Sequence, residues 1–316
     1  MSNRLNRYRP FTGLGTAIFF ALLTSNAWAS VPNNQADMNQ SGDDNVATIV
    51  QAPDPDGIRL QAYITQVGDQ NAAEIIQENS SEENVARITQ DGNGNFLASI
   101  LQTNNSTQNE ATVNQGGDGN FALIHQWFDS ESNLATIEQG GDNNQAEVHQ
   151  EDGSVQNEAW ITQGGDGNYA LVFQDDNSEL NYAEVDQGGD GNTAEVYQGF
   201  NSELNQASIN QAGDGNTAEI DQEASQENVA DIDQSGNNNV QATILQIDGA
   251  EHNLASIHQS GNGNDAFIDQ SQGMDNVANV DQSGDGNLAF VNMVGHEYDV
   301  VTVMQSGNGN VVQYNP

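Results

Sequence analysis

Turns such as Gly188-Gly189-Asp190-Gly191-Asn192 recur along the chain and have the residue types of a phosphate cradle or a calcium loop. A phosphate loop needs a following helix N-terminus and usually a lysine, and neither is present. Calcium nonapeptide coils place Asp two residues before a buried apolar residue in a shorter repeat, which does not fit. Asp118, Asp142, Asp166, Asp190 and Asp214 nevertheless hold one turn position in five successive copies. Stacked about 4.8 Å apart they would repel, and calcium or mild acid would relieve the column. The ordinary preference of Asp for turns explains the same residues without a ligand.

His125 and His149 also share a position in adjacent copies, followed there by Phe173 and Tyr197. Such a row offers imidazoles to a metal or flat rings to a dye, although a solvated face accounts for it more simply. Ser and Thr are plentiful, but no Ser/His/Asp set recurs in a pocket-forming context. Carboxylates are many, yet flat sheet surfaces lack the enclosure that tunes a catalytic pair. The sequence therefore points to no enzyme, no catalytic residue, no cofactor and no assigned metal ligand.

The elements behind these turns follow from a repeat. Asn-x-Ala-x-(Ile/Val)-x-Gln, as in Asn109 to Gln115 and Asn120 to Gln126, recurs 24 times in 12 pairs. Period two over seven residues means a strand whose fixed residues share one face, and the fixed face is the one that packing holds. The variable face accepts Glu184, Trp160 or Phe173. Copies Asn95 to Gln102 and Asn239 to Gln246 carry one extra residue, which predicts a β-bulge.

The predicted inward amide ladder takes the Gln that closes each first strand and the Asn that opens each second. The Gln series is Gln40, Gln66, Gln90, Gln115, Gln139, Gln163, Gln187, Gln211, Gln234, Gln259, Gln282 and Gln305. The Asn series is Asn45, Asn71, Asn95, Asn120, Asn144, Asn168, Asn192, Asn216, Asn239, Asn264, Asn287 and Asn310. Between them, every pair has a turn glycine: Gly42, Gly68, Gly92, Gly117, Gly141, Gly165, Gly189, Gly213, Gly236, Gly261, Gly284 and Gly307. Invariant Gly there predicts positive φ in a tight reversal. A looser polar loop, such as Asp175 to Leu180, follows each second strand. None of the five prolines, Pro10, Pro32, Pro53, Pro55 and Pro316, falls inside a regular strand, as a hydrogen-bonded ladder requires.

Stacking the pairs gives an all-β solenoid of about 12 strand-turn-strand layers, with two parallel sheets face to face. Two branched side chains per layer bury too little to order some two dozen residues, so a layer depends on its neighbours. No capping element is visible at either end, which predicts end-to-end self-assembly.

Residues 1–29 read as a signal peptide. Arg4, Arg7 and Arg9 precede the short apolar run Leu14 to Leu23, and Ala27-Trp28-Ala29 supplies the cleavage site. A short segment, residues 30–33, then leads into the repeat domain, residues 34–316. Without the signal peptide only Arg59 and Arg87 stand against 46 acidic residues, a net charge of −44. That charge disfavours nucleic acid, and no run is long enough to insert in a membrane. Zero cysteines exclude disulfides and thiolate metal sites.

The spacing Gln-x4-Asn-x5-Gln, as in Gln40, Asn45 and Gln51 or Gln163, Asn168 and Gln174, resembles the curlin repeat of curli fimbriae. The Gln-x-Gly-x-Gly-Asn turns at Gln115 to Asn120 and Gln259 to Asn264 resemble that family too, and the likeness covers nearly all of residues 34–316. This chain has more repeats than family members typically have, a longer second loop, and Asn where the family usually starts with Ser. The resemblance implies a subunit of an extracellular functional amyloid, a fimbrium or pilus-like fibre of the biofilm matrix that acts in cell aggregation and adhesion. It implies partners: further copies of itself, a nucleating minor subunit and an outer-membrane secretion channel. The near absence of basic residues favours the major subunit. The rival expectation is a monomeric secreted β-solenoid that binds a ligand or surface on one face, as an ice-binding protein or adhesin module does. Its outward rows would be regular, whereas Glu147, Trp160, Leu171 and Glu184 are mixed.

Overall fold

Alternation of buried and exposed residues is visible in nearly every strand: Glu158–Gln163 exposes Glu158, Trp160 and Thr162 and buries Ala159, Ile161 and Gln163. The structure, a computed structural model, describes residues 34–51 and 59–316. The expected signal peptide, the segment 30–33 and the stretch containing Pro53 and Pro55 lie outside the described residues. Within them, 24 strands form two 12-stranded parallel sheets, one built from every first strand and the other from every second strand. The chain is a β-solenoid of stacked layers. Layer 1 comprises Gln35–Ser41 and Val46–Gln51, layer 6 Glu158–Gln163 and Tyr169–Phe173, and layer 12 Val300–Gln305 and Val311–Tyr314.

Register is like on like. Between layers 6 and 7 the partners are Ala159 and Ala183, Ile161 and Val185, Gln163 and Gln187. A one-residue slip would turn the Ala and Ile/Val set outward, so the burial pattern holds the register. Those two rows from both sheets merge into one continuous core that runs the length of the stack, most of it fully buried. No helix among the described residues is long and apolar enough to cross a membrane.

The two longer copies keep the register by ejecting one residue. Phe96 and Val240 stand out of the sheet, 81% and 64% exposed, and pairing resumes at Leu97 with Phe121 and at Gln241 with Asp265. The second loop is more regular than the sequence suggested. Isolated parallel bridges run through it from Glu82 and Thr107 to Met274 and Glu297, one per layer. This regularity is bought with left-handed backbone at non-glycine residues, among them Leu180, Phe200 and Leu204.

Candidate assembly site

Each strand end carries an amide, and stacking in register sets each amide against its copy in the next layer. Nε2 of Gln40 donates to Oε1 of Gln66, and the relay continues through every first strand to Gln305 at 2.6–2.9 Å. The same Nε2 atoms also reach across to the other sheet, as Gln163 does to the carbonyl of Gln145 at 3.0 Å. Most of these buried Gln donors are thereby used twice, which is what burial of a polar group requires.

The second-strand Asn residues bond differently. Oδ1 of each accepts the backbone N–H of the next Asn, from Asn45 to Asn310, at 2.8–3.1 Å. In Asn45, Asn71, Asn120, Asn144 and Asn216 the Nδ2 donates to the carbonyl of the next layer's turn glycine. Nδ2 of Asn168, Asn192, Asn264 and Asn287 is buried and has no hydrogen-bond partner.

Turn glycines are required, but mostly not for positive φ. Gly42 and Gly68 have φ of 110° and 105°, whereas the other ten are not left-handed. The left-handed residue is two positions later, as in Gly167, Asn143 or Asp44. A Cβ added to Gly165 would collide with the carbonyl oxygen of Gly189 in the next layer, and the same holds for each turn glycine from Gly42 to Gly284. Close approach between layers, invisible within one turn, excludes a side chain there.

The Asp column is also resolved by its surroundings. Each carboxylate accepts the backbone N–H of the Asp before it: Asp118 N to Asp142, Asp142 N to Asp166, Asp166 N to Asp190 and Asp190 N to Asp214, at 2.8–3.0 Å. The expected bare column of like charges is instead a hydrogen-bonded ladder.

Choosing one Gln and one Asn per layer undercounts the ladders. A second Gln relay runs from Gln51 to Gln270 at 2.7–2.9 Å and stops where Met293 replaces Gln. First-strand Asn residues form a fourth ladder from Asn84, and Asn133 Nδ2 reaches the carbonyl and Oγ of Ser154 in the second loop. Ser106, Ser130, Ser154, Ser178, Ser202 and Ser225 are all buried there. Their recurrence was visible in the sequence; their burial was not. Ser81 proves the pairing by exception: Leu60 stands where its Asn would be, and Ser81 Oγ is buried without a partner.

Outward faces carry local clusters. His125, His149, Phe173 and Tyr197 form a continuous row of rings, the first pair edge to face and the others stacked, with centroids 4.9, 4.4 and 5.8 Å apart. Burial, and then the neighbouring His149, lowers the pKa of His125. Burial followed by neighbouring acids pushes Asp175 up to about 6 and Glu223 up to about 7. Asp221 is also pushed up to about 6, again mainly by burial. Gln156, Glu158, Leu180, Asn181, Tyr182 and Gln206 line an open depression of about 410 Å³. Compared with known proteins, the chain matches no family model, and no curated protein is significantly similar to it.

Proposed function

We propose that the chain is a secreted structural subunit that stacks end to end into an extracellular amyloid-type fibre of the curli kind. The observation that carries this reading is that each layer binds the next through one repeated set of donors and acceptors. What layer 12 would seek in a further layer is what layer 1 of another copy offers. Gln305 Nε2 would donate to Gln40 Oε1, and Asn310 Oδ1 would accept the N–H of Asn45. Among the described residues each terminal strand has a neighbour on one side only, which leaves its outer edge to pair in the same sense. Backbone pairing, dry Ala and Ile/Val rows and amide ladders are the interactions that make cross-β stacks persistent.

In this reading the protein is non-enzymatic and forms a cell-surface fibre of the biofilm matrix. A nucleating subunit and an outer-membrane channel are its further partners. Lateral repulsion from the acidic surface keeps such fibres apart while ladders join them along the axis. Purified protein held at room temperature should pass from monomer to pelletable, thioflavin-binding fibrils with a 4.7–4.8 Å axial reflection. Protein that remains monomeric by size exclusion, even when seeded, would defeat the proposal and favour a ligand-binding solenoid.

A further inference from the structure

On the outer face of the second-strand sheet, His125 of Phe121–Trp127 and His149 of Gln145–His149 are direct partners in the parallel register. Their rings meet edge to face at 4.9 Å. Glu151 follows His149 just beyond the strand and places Oε1 3.0 Å from His149 Nδ1. One ligand atom each from His125, His149 and Glu151 lies within 4.8 Å of the others. We propose that these three side chains form a binding site for one divalent d-block ion of the Zn²⁺ or Cu²⁺ class.

The donor set selects the ion. Two imidazoles and a carboxylate suit zinc or copper, whereas calcium and magnesium take all-oxygen sites. Ligand bonds of about 2.0–2.1 Å require the three atoms to draw in by roughly an ångström, which side-chain rotation supplies. On the opposite side of the His149 ring, Glu147 Oε2 lies 3.6 Å from Nε2. With Nδ1 given to the metal beside Glu151, Nε2–H keeps a carboxylate partner. That is the arrangement that orients metal-bound histidines.

The walls favour a defined site over loose attraction to the acidic surface. His149 stacks on Phe173 at 4.4 Å, and Trp127 lies 5.3 Å from His125. Side chains of His149 and Glu151 are only 12% and 13% exposed. The other histidines among the described residues differ: His252, His258 and His296 each face a single carboxylate and are 37–47% exposed. The site is complete within one chain, so it stands or falls independently of fibre formation. Once bound, the ion would tie two adjacent layers together through their outer side chains.

Equilibrium dialysis of the full chain against zinc chloride, with magnesium in excess, should find one Zn²⁺ per chain. His125→Asn and His149→Asn should each weaken binding about tenfold or more, while His258→Asn should leave it unchanged. Titration with copper chloride gives a second measurement. In a Trp28→Phe, Trp160→Phe background, Cu²⁺ should quench Trp127 emission, and either His variant should abolish the quenching. Both imidazoles face outward, so far-UV circular dichroism should be the same for all proteins. Zinc that binds both His variants as well as the parent, or that magnesium displaces, would overturn the proposal.

Discussion

Layer 6 and layer 12 share a backbone but not a full set of ladders. In layer 6 the fixed positions Asn157, Ala159, Ile161, Gln163, Asn168, Ala170, Val172 and Gln174 are all at most 1% exposed. In layer 12 the corresponding sites hold Asp299, Val301, Val303, Gln305, Asn310, Val312, Tyr314 and Pro316. Val301 and Val303 are still buried, yet Val300, Met304 and Val311 on the other face are 70–77% exposed. One layer earlier, Met293 is fully buried and still ends the second Gln relay. Filling the space is therefore not enough. A ladder continues only where each layer brings both a donor and an acceptor.

The largest break should come at the turn glycines. Gly165→Ala drives a methyl into the Gly189 carbonyl and should cost about 3 kcal/mol or more in chemical denaturation. Gly307→Ala meets nothing nearer than Asn310 Nδ2 at 3.1 Å and should leave the folded chain close to unchanged. Its methyl would face the next copy, so fibre elongation from seeds should slow sharply. Unchanged elongation would separate the turn stack from the fibre axis.

Gln163→Leu comes next. It removes the bonds to Gln187 and the Gln145 carbonyl and takes from Gln139 one of its two acceptors. The unfolding midpoint should fall by the equivalent of about 2–4 kcal/mol. The converse change, Met293→Gln, extends the broken relay from Gln270 and should gain about 1 kcal/mol. A loss there would mean that thioether packing outweighs the ladder.

Serines sharpen the contrast on a smaller scale. Ser154→Ala removes the hydroxyl contact of Asn133 Nδ2, which keeps the Ser154 carbonyl, and should cost about 1 kcal/mol. Ser81→Ala deletes a hydroxyl that has no partner and should be neutral or stabilising by up to about 1 kcal/mol. Equal losses at both sites would refute the account of Leu60.

The smallest effect concerns pH. Asp175, Asp221 and Glu223 have folded pKa values of about 6, 6 and 7, above those of the unfolded chain. The folded state thus holds more protons between about pH 4 and 7, and stability rises as pH falls through that window. Melting temperature should increase modestly from pH 7.5 to pH 5, and Glu223→Gln should flatten the slope. A melting temperature that falls over this range would show that these acids are ordinary surface groups.

Much of this was legible in the chain itself where the signal is local. Alternation inside Asn157 to Gln163 states which side is buried, and twelve returns of it state how many layers exist. The left-handed Leu204 and the buried Ser202 were not legible, since a polar loop has no period to betray its interior. The second Gln relay was legible as well, because Gln51, Gln77 and Gln102 close the same fixed face that carries Ala and Ile or Val.

From sequence alone came the strand faces, the count of layers and the demand for glycine in each turn, because these depend on neighbours within seven residues or on simple recurrence. Tertiary structure decided what that glycine avoids, which nitrogen each amide serves and why the Asp column holds together. Most of those partners lie 16–26 residues away along the chain, in the next layer or the facing sheet. Only stacking brings them within the reach of a hydrogen bond.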